Sequence, residues 1–216
     1  MMQRLVWMAA MVLVPLAGQG ASFDCAKAST DAEKAICADP ELSKLDEQLA
    51  RAYKQALQKG PKEKVQAAQR AWLKERNTNC GSYAACLQYQ YYRRIAQLQG
   101  VHWSLADWQR AAGAWSTAGS DGASKQRLVI KAVNKERFDF QLSALGSADG
   151  GEIQGHGYFA PDGIAEFPTD DDNDTECSLV FVPWNKAQLQ VVAMSKESCQ
   201  NYYSGDFGGL FVQGAH

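Results

Sequence analysis

Apolar residues recur at every third or fourth position through the first half of the chain, the spacing of amphipathic helices. Asp39-Pro40 suits the start of a helix, because Asp is a good N-cap and Pro a good first helical residue. Gly60-Pro61 marks its end. The pattern predicts four helices: a short one running to Cys37, one between Asp39 and Gly60, one ending near Asn77, and one from about Tyr83 to Leu98. Thr30 and Glu33 fit a capping box for the first.

The period changes to two after residue 112, with turn-forming Gly, Asp and Asn between the apolar runs. Eight candidate strands follow: 113–117, 127–133, 136–144, 151–160, 163–168, 176–183, 187–194 and 207–213. Short strands joined in order favour an antiparallel meander sheet, closed or nearly closed into a small β-barrel. A curled sheet or a sandwich is the alternative. The fold class predicted is therefore α+β.

This change of period predicts a domain organisation. Residues 21–100 form a helical domain and residues 113–216 an antiparallel β domain. Residues 101–112, with Trp103 and Trp108, form a bridging helix or linker that docks onto one of them.

The first 20 residues have the pattern of a cleaved signal peptide. Arg4 precedes an apolar run from Leu5 to Leu16, and Gly18-Gln19-Gly20 suits cleavage before Ala21. The run is shorter than the roughly 20 residues that a membrane-spanning helix needs. No lipidation motif precedes Cys25. We therefore expect a periplasmic or secreted protein with no membrane span.

Six cysteines in an exported chain predict three disulfides. A helical hairpin centred on Gly60 would bring Cys37 close to Cys80, which favours Cys37–Cys80 and leaves Cys25 for Cys86. Closing that long loop would contribute about 4 kcal/mol. The alternative, Cys25–Cys37 with Cys80–Cys86, stays open. Cys177 and Cys199 are paired by elimination.

Charge divides between the two halves. Residues 21–100 carry 13 Lys and Arg against 9 Asp and Glu, whereas residues 101–216 carry 8 against 15. The third helix has a basic side that includes Arg70 and Arg76, which we predict to contact a partner; the structural alternative is that Arg76 caps the helix end. The acidic run contains Asp170, Asp171, Asp172 and Asp174. A calcium loop is disfavoured, since the positions that would complete it hold Thr175 and Phe181. The run fits a solvated loop or, as the functional alternative, a docking loop for a cationic partner.

Motifs across residues 25–98 resemble the LprI-type lysozyme-inhibitor N-terminal domain family. They are Cys25, E-K-A-I-C at 33–37, L-S-K-L-D at 42–46, Ala52-Tyr53, Q-R-A-W-L at 69–73, Arg76-Asn77, Cys80, Cys86-Leu87 and Arg94-Ile95. The resemblance implies an exported, disulfide-bonded helical domain of a bacterial envelope, with lysozyme inhibition as the activity. The family's namesake is a lipoprotein, whereas this chain lacks the lipidation cysteine.

The C-terminal half carries shorter resemblances. Gly113-Ala114-Trp115 is similar to the Gly-x-Trp start of lipocalin-like (calycin) barrels, where the Trp closes the barrel end. Ser204-Gly205 resembles part of the inserted loop of small β-barrel lysozyme inhibitors, but Gly208 stands where that motif has Tyr.

No sequence motif indicates catalysis. His102, His156 and His216 fit no metal or triad spacing, and no nucleophile elbow or phosphate loop is present. We predict a non-enzyme without cofactor, metal or nucleic-acid partner. It would bind and inhibit a lysozyme or another peptidoglycan-cleaving enzyme by steric occlusion. The alternatives are a calycin-like module for a small apolar ligand and an envelope immunity or scaffold protein.

Overall fold

The computed structural model describes residues 20–118, 124–131, 133–144, 151–168, 177–195, 199 and 207–214. Its fold is α+β, as predicted. A 3-10 turn at Cys25–Lys27 precedes five helices: α1 (Asp31–Ala38), α2 (Pro40–Lys59), α3 (Lys62–Cys80), α4 (Ala84–Gln99) and α5 (Leu105–Arg110). None of the helices in the described ranges combines the length and the apolar character needed to cross a bilayer.

The described strands form one closed antiparallel barrel in sequence order. They are β1 (Gly113–Ala118), β2 (Ser124–Lys131), β3 (Arg137–Ala144), β4 (Glu152–Phe159), β5 (Ala165–Phe167), β6 (Leu179–Asn185), β7 (Gln188–Ala193) and β8 (Gly209–Gln213). Pairing of β1 with β8, in which Trp115 lies opposite Gln213, closes it. The barrel predicted from the sequence is thus confirmed, and the sandwich alternative is wrong.

The helices pack around a core of their own. The Asp39 side chain accepts hydrogen bonds from the Glu41 and Leu42 amides, which fixes the start of α2 directly after α1. The largest fully buried members of this core are Ile36, Leu42, Leu87, Tyr91 and Ile95. Leu87, Tyr91 and Ile95 lie at the four-residue spacing that indicates one buried helix face.

Disulfides join neighbours in sequence within the helical region. The pairs are Cys25–Cys37 and Cys80–Cys86, so the preferred pairing of Cys37 with Cys80 is wrong and the alternative is correct. The pairing differs from the predicted one because Cys37 belongs to α1, and the chain turns at Asp39-Pro40, where α2 begins. Cys37 therefore does not lie on an extension of the α2–α3 hairpin, opposite Cys80.

The third disulfide, Cys177–Cys199, was predicted by elimination and is confirmed. Both half-cystines are buried in the barrel core. The amide of Cys199 donates to the carbonyl of Ser195, and the disulfide joins Cys199 to Cys177, two residues before β6 begins.

Aromatic rings fill the barrel interior between the described strands. Phe138, Phe181 and Phe211 are at most 1% exposed, and Phe138 lies 5.2 Å from Phe181 between ring centroids. Gly157 on β4 makes room for Phe138, since a Cβ there would lie 2.3 Å from Cζ of that ring, and Gly155 does the same for Phe167.

Helix α5 closes one end of the barrel. Trp108 stacks on Phe138 at 5.0 Å, and its indole N–H donates to the carbonyl of Gly163. Trp115 is 1% exposed and donates to the carbonyl of Ala111 at 2.8 Å. Trp115 is therefore buried beside α5, as expected of a residue that closes the barrel end. The bridging segment packs against the barrel.

Helix α4 is shared between the helical core and the outside of the barrel. Leu87, Tyr91 and Ile95 face the helices, whereas Ala96 forms a second buried cluster with barrel residues that include Val182. Other contacts across this interface are Tyr92 against Trp184 at 5.6 Å, an Arg93–Asp162 ion pair at 2.6 Å, and a hydrogen bond from the Tyr83 hydroxyl to the Met194 carbonyl. Burial raises the pKa of Tyr92 to about 12, so its hydroxyl stays neutral there.

The capping box at the start of α1 links stability to pH. The Thr30 hydroxyl accepts from the Glu33 amide, and the Glu33 carboxylate accepts from the amides of Thr30 and Ser29 at 3.0 and 2.8 Å. These backbone donors lower the pKa of Glu33 from 4.5 to about 2. Because the folded value lies below the unfolded one, the carboxylate stabilises the fold above pH 4.5, and this contribution is lost as the pH falls toward 2.

Replacing Glu33 with glutamine should lower the free energy of unfolding at neutral pH by less than about 1 kcal/mol, because the capping geometry survives without the charge. The difference from the wild type should shrink as the pH falls from 4.5 toward 2. Urea unfolding at a series of pH values measures it. Glu63→Gln is a matched control, since Glu63 lies in the first turn of α3, where no side chain caps the helix. A difference that stays constant across this pH range would contradict the assignment.

Candidate functional site

Helix α3 is the most exposed helix of the helical region. Only Gln69, Trp72, Arg76 and Cys80 are buried along it, at the spacing of a single narrow face. The helix packs on its neighbours through this face, and the opposite side is left to solvent. This arrangement makes α3 the first candidate for a contact surface in the part of the chain that LprI-type motifs cover.

We define the outer face of α3 as Ala67, Arg70, Ala71, Lys74 and Thr78, which are all exposed. The alanines keep the helix surface flat, so the two long cationic side chains project beyond it. Neither Arg70 nor Lys74 forms an ion pair with any residue in the described part of the chain. The predicted contact residue Arg70 is thus placed where a partner could reach it.

Arg76, the second predicted contact on α3, points inward and is 3% exposed. Its guanidinium donates to the Tyr91 hydroxyl at 2.9 Å and to the Asn77 side-chain oxygen at 2.8 and 3.0 Å. It also lies over the ring of Trp72, at 5.3 Å from the ring centroid. Arg76 therefore holds α3 against α4 from within the helical core, and its predicted contact with a partner stays a prediction.

The contacts of Arg76 continue to a buried carboxylate on α2. The Tyr91 hydroxyl donates to Asp46 Oδ1 at 2.7 Å, and the amide and hydroxyl of Ser22 donate to Asp46 Oδ2. Burial raises the pKa of Tyr91, which keeps its hydroxyl protonated and able to donate. We call Ser22, Asp46, Tyr91 and Arg76 the buried polar network; it ties the N-terminal segment, α2, α3 and α4 together.

Asp46 and Tyr91 were missed as network members by the sequence analysis, although a signal was present. Asp46 falls on the same side of α2 as Leu42, Leu45 and Leu49, and a carboxylate on an apolar helix face needs partners when it is buried. Tyr91 shares the four-residue spacing of Leu87 and Ile95, which indicates burial but not a hydrogen-bonding role.

The motifs that carry the resemblance to the LprI-type family supply much of this interior. Ser43 donates to the carbonyl of Ile36, and Arg94 donates to the side-chain oxygen of Gln69 at 2.9 Å. Trp72 packs edge-on against Tyr91, as expected of a core residue. The buried motif residues therefore specify the scaffold, whereas exposed residues within and between the motifs, such as Arg70, are accessible to a partner.

The acidic run with Asp170, Asp171, Asp172 and Asp174 lies outside the described residues, as does Ser204-Gly205. The partner-binding role of these four aspartates stays a prediction. Within the described ranges, no group of three or more His, Cys, Asp or Glu side chains gathers in a metal-binding arrangement.

Comparison with known proteins supports the resemblance over the helical region. Residues 25–98 match the family model described as lysozyme inhibitor LprI. Proteins named Lipoprotein LprI from Mycobacterium tuberculosis and Mycobacterium bovis are each 36% identical over 86 residues, which cover 39% of this chain and 43% of those proteins. The chain thus spans less than half the length of the curated relatives that it matches. No solved structure matches it significantly.

Proposed function

We propose, from the match of residues 25–98 to the lysozyme inhibitor LprI family, that this protein binds a lysozyme or a related peptidoglycan-cleaving enzyme and inhibits it by covering the substrate cleft. The proposal includes no reaction by the inhibitor itself. The single observation that carries it, beyond the match, is the outer face of α3: an exposed, flat surface with two cations.

The construction of α3 supports this role, because an inhibitor gains affinity when its contact surface is already ordered. The Cys80–Cys86 disulfide fixes the C-terminal end of α3 to the first turn of α4. One turn before Cys80, Arg76 holds α3 to Tyr91 on α4, and near the middle of α3 Gln69 accepts a hydrogen bond from Arg94 on α4. A partner would therefore meet a helix whose position costs little to fix on binding.

Charge complementarity suggests where the helix would bind. Most glycoside hydrolases work with a pair of carboxyl groups beside the scissile bond. Arg70 and Lys74 are one turn apart on the outer face and have no carboxylate partner in the described residues. Placed over a cleft that contains carboxylates, they would gain electrostatic attraction and exclude the glycan.

An exported location fits the same proposal. The three disulfides are stable in an oxidising compartment, such as the periplasm or the extracellular space. Peptidoglycan-cleaving enzymes act in that compartment. The predicted signal peptide before Ala21 would take the chain there.

The calycin-like alternative receives no support from the barrel. That hypothesis requires an unfilled interior lined by Phe, Trp and Leu. Instead, the described interior contains Phe138, Phe140 and Phe181 in mutual ring contact, with Trp108 stacked against Phe138. We therefore do not propose a small apolar ligand inside the barrel.

Titration of the full-length protein into lysozymes of different types should give saturable loss of cell-wall lysis with at least one of them. The double variant Arg70→Glu/Lys74→Glu should weaken inhibition about tenfold or more, because it places two anions opposite the carboxylates of the cleft. Raising the salt concentration should weaken inhibition by the wild type as well.

Lys131→Glu/Lys186→Glu is the matched control, since it makes the same charge change at exposed positions of the barrel. A further variant with Asn at positions 170, 171, 172 and 174 tests the acidic run against the outer face. If the protein inhibits none of the lysozyme types, the proposed function is wrong. Equal weakening by the α3 pair and the barrel pair would exclude the outer face as the contact.

A further inference from the structure

A groove lies between the C-terminal ends of α2 and α4 and the first half of α3, away from the outer face of α3. Its volume is about 460 Å³, within the range of small-ligand sites. Side chains of Ala56, Val65, Ala68 and Leu98 supply its apolar surface. Such a groove has room for a short aliphatic group.

The charged side chains of the groove all have one sign. Lys59, Lys64 and Arg94 line it, and none of the described lining residues carries a carboxylate. Lys59 and Lys64 are exposed, whereas Arg94 is only 8% exposed. The groove thus combines a solvated basic rim with one buried cation.

Arg94 is a buried cation without an anionic partner in the described part of the chain. Its Nε–H donates to the side-chain oxygen of Gln69 at 2.9 Å, and Nη1–H donates to that of Gln97 at 3.3 Å. Both acceptors are neutral amides. A guanidinium has five N–H donors and these two bonds use two of them, so Arg94, which lines the groove, keeps donor capacity for a ligand.

Burial of an uncompensated charge is unfavourable, and the loss of hydration lowers the pKa of Arg94. An anion bound at the guanidinium would offset that cost. Arg pairs well with carboxylates because its planar fork matches their two oxygens. The apolar walls would then hold whatever the carboxylate is attached to.

We propose that this groove is a binding site for a carboxylate attached to a short aliphatic body, with Arg94 as the anion-binding group and Val65, Ala68 and Leu98 in contact with the aliphatic part. Lys59 and Lys64 attract the anion from solvent. This site is independent of the proposed inhibition, because it lies in the groove and its test contains no lysozyme.

The test is a titration of the full-length, disulfide-intact protein with hexanoate, followed by backbone amide NMR. Saturable shifts at millimolar concentration are expected around the groove, at Gly60, Val65, Leu98 and Gly100. Hexanamide, which has the same shape without the charge, should bind about tenfold more weakly or not at all. Equal shifts with hexanamide, or no saturable shifts with hexanoate, would overturn the proposal.

Variants locate the site without relying on one substitution. Arg94→Gln should abolish the hexanoate shifts, and Lys59→Gln/Lys64→Gln, which leaves the interior unchanged, should reduce affinity severalfold. Lys54→Gln on the exposed side of α2 is the matched control and should bind like the wild type. If the Lys59/Lys64 variant binds hexanoate as the wild type does, the basic rim has no part in binding and the proposal fails.

A peptide titration distinguishes the two possible sources of the carboxylate, a protein C-terminus and a free organic acid. Gly-Gly-Leu with a free C-terminus is compared with its C-terminal amide. Tighter binding of the free peptide than of hexanoate would assign the groove to a protein C-terminus, and the reverse order would assign it to a free organic acid. Equal binding of the peptide and its amide would overturn recognition of the carboxylate.

Discussion

Replacing Arg76 with methionine should lower the free energy of unfolding by about 3 kcal/mol, although methionine fills a similar volume. The substitution removes the donor to the Tyr91 hydroxyl and leaves the buried Asp46 carboxylate without the nearby cation. It also removes the contact with the ring of Trp72. Urea unfolding of the oxidised protein, followed by far-UV circular dichroism, measures the loss.

Arg70→Met is the matched control for this prediction. Arg70 lies on the same helix but is exposed, so its replacement should change stability by less than about 0.5 kcal/mol. The lysozyme titration should rank the two substitutions in the opposite order. Arg70→Met should weaken inhibition, whereas Arg76→Met should reduce it only by lowering the amount of folded protein. If Arg76→Met keeps full stability and loses inhibition, Arg76 is a contact residue and the network has little energetic importance.

Replacing Gly157 with alanine should destabilise the barrel by at least about 2 kcal/mol, the upper range of the cost of overpacking. Gly157 pairs across the strands with Phe138, whose ring covers it. The added Cβ would lie 2.3 Å from Cζ and 2.5 Å from Cε1 of that ring. Phe138 cannot move aside easily, because Trp108 and Phe181 pack against it. Thermal unfolding monitored by near-UV circular dichroism reports this loss of packing.

The second-site variant Gly157→Ala/Phe138→Leu tests the cause. Leucine removes the ring atoms that meet the new Cβ, so the double variant should be more stable than the sum of the two single changes predicts. Gly209→Ala is a milder comparison, since its Cβ would lie 3.1 Å from Cγ2 of Thr117. Wild-type stability of Gly157→Ala would show that the barrel adapts at this point.

Local sequence signals predicted the elements well. Asp39-Pro40 and Gly60 marked the limits of α2, and alternation with turn residues located all eight described strands. These signals depend on neighbours in the chain, so periodicity and capping chemistry were sufficient. Helix α3 runs to Cys80, three residues beyond the predicted end at Asn77, because Arg76 and Cys80 continue its buried face.

The sequence did not predict which cations are buried. Arg70 and Arg76 lie six residues apart on one helix. Both are arginines, so residue type alone predicts that both are exposed. Arg76 is buried because Tyr91, Trp72 and Asn77 provide its partners, and these contacts depend on the packing of α3 against α4. Disulfide pairing likewise depended on tertiary structure, namely on the direction of α1 relative to α2.

The docking of α4 on the barrel was also not predicted. In the sequence of α4, Leu87, Tyr91, Ile95 and Leu98 recur at three- and four-residue spacing, which indicates one apolar face. The second buried side uses Tyr92 and Ala96, whose residue types occur equally well on exposed helices. Such an interface becomes visible only when the partner surface, here on β6, is known.

The double use of α4 has a consequence for work with truncated proteins. A fragment that stops at Gly100 would leave Tyr92 and Ala96 facing water, and a fragment that begins at Val101 would uncover Val180, Val182 and Trp184. Each half on its own would thus expose an apolar surface that favours self-association and non-specific binding of other proteins. Binding measured with either half alone would report that surface, so recognition by this molecule is best assigned in the uncut chain.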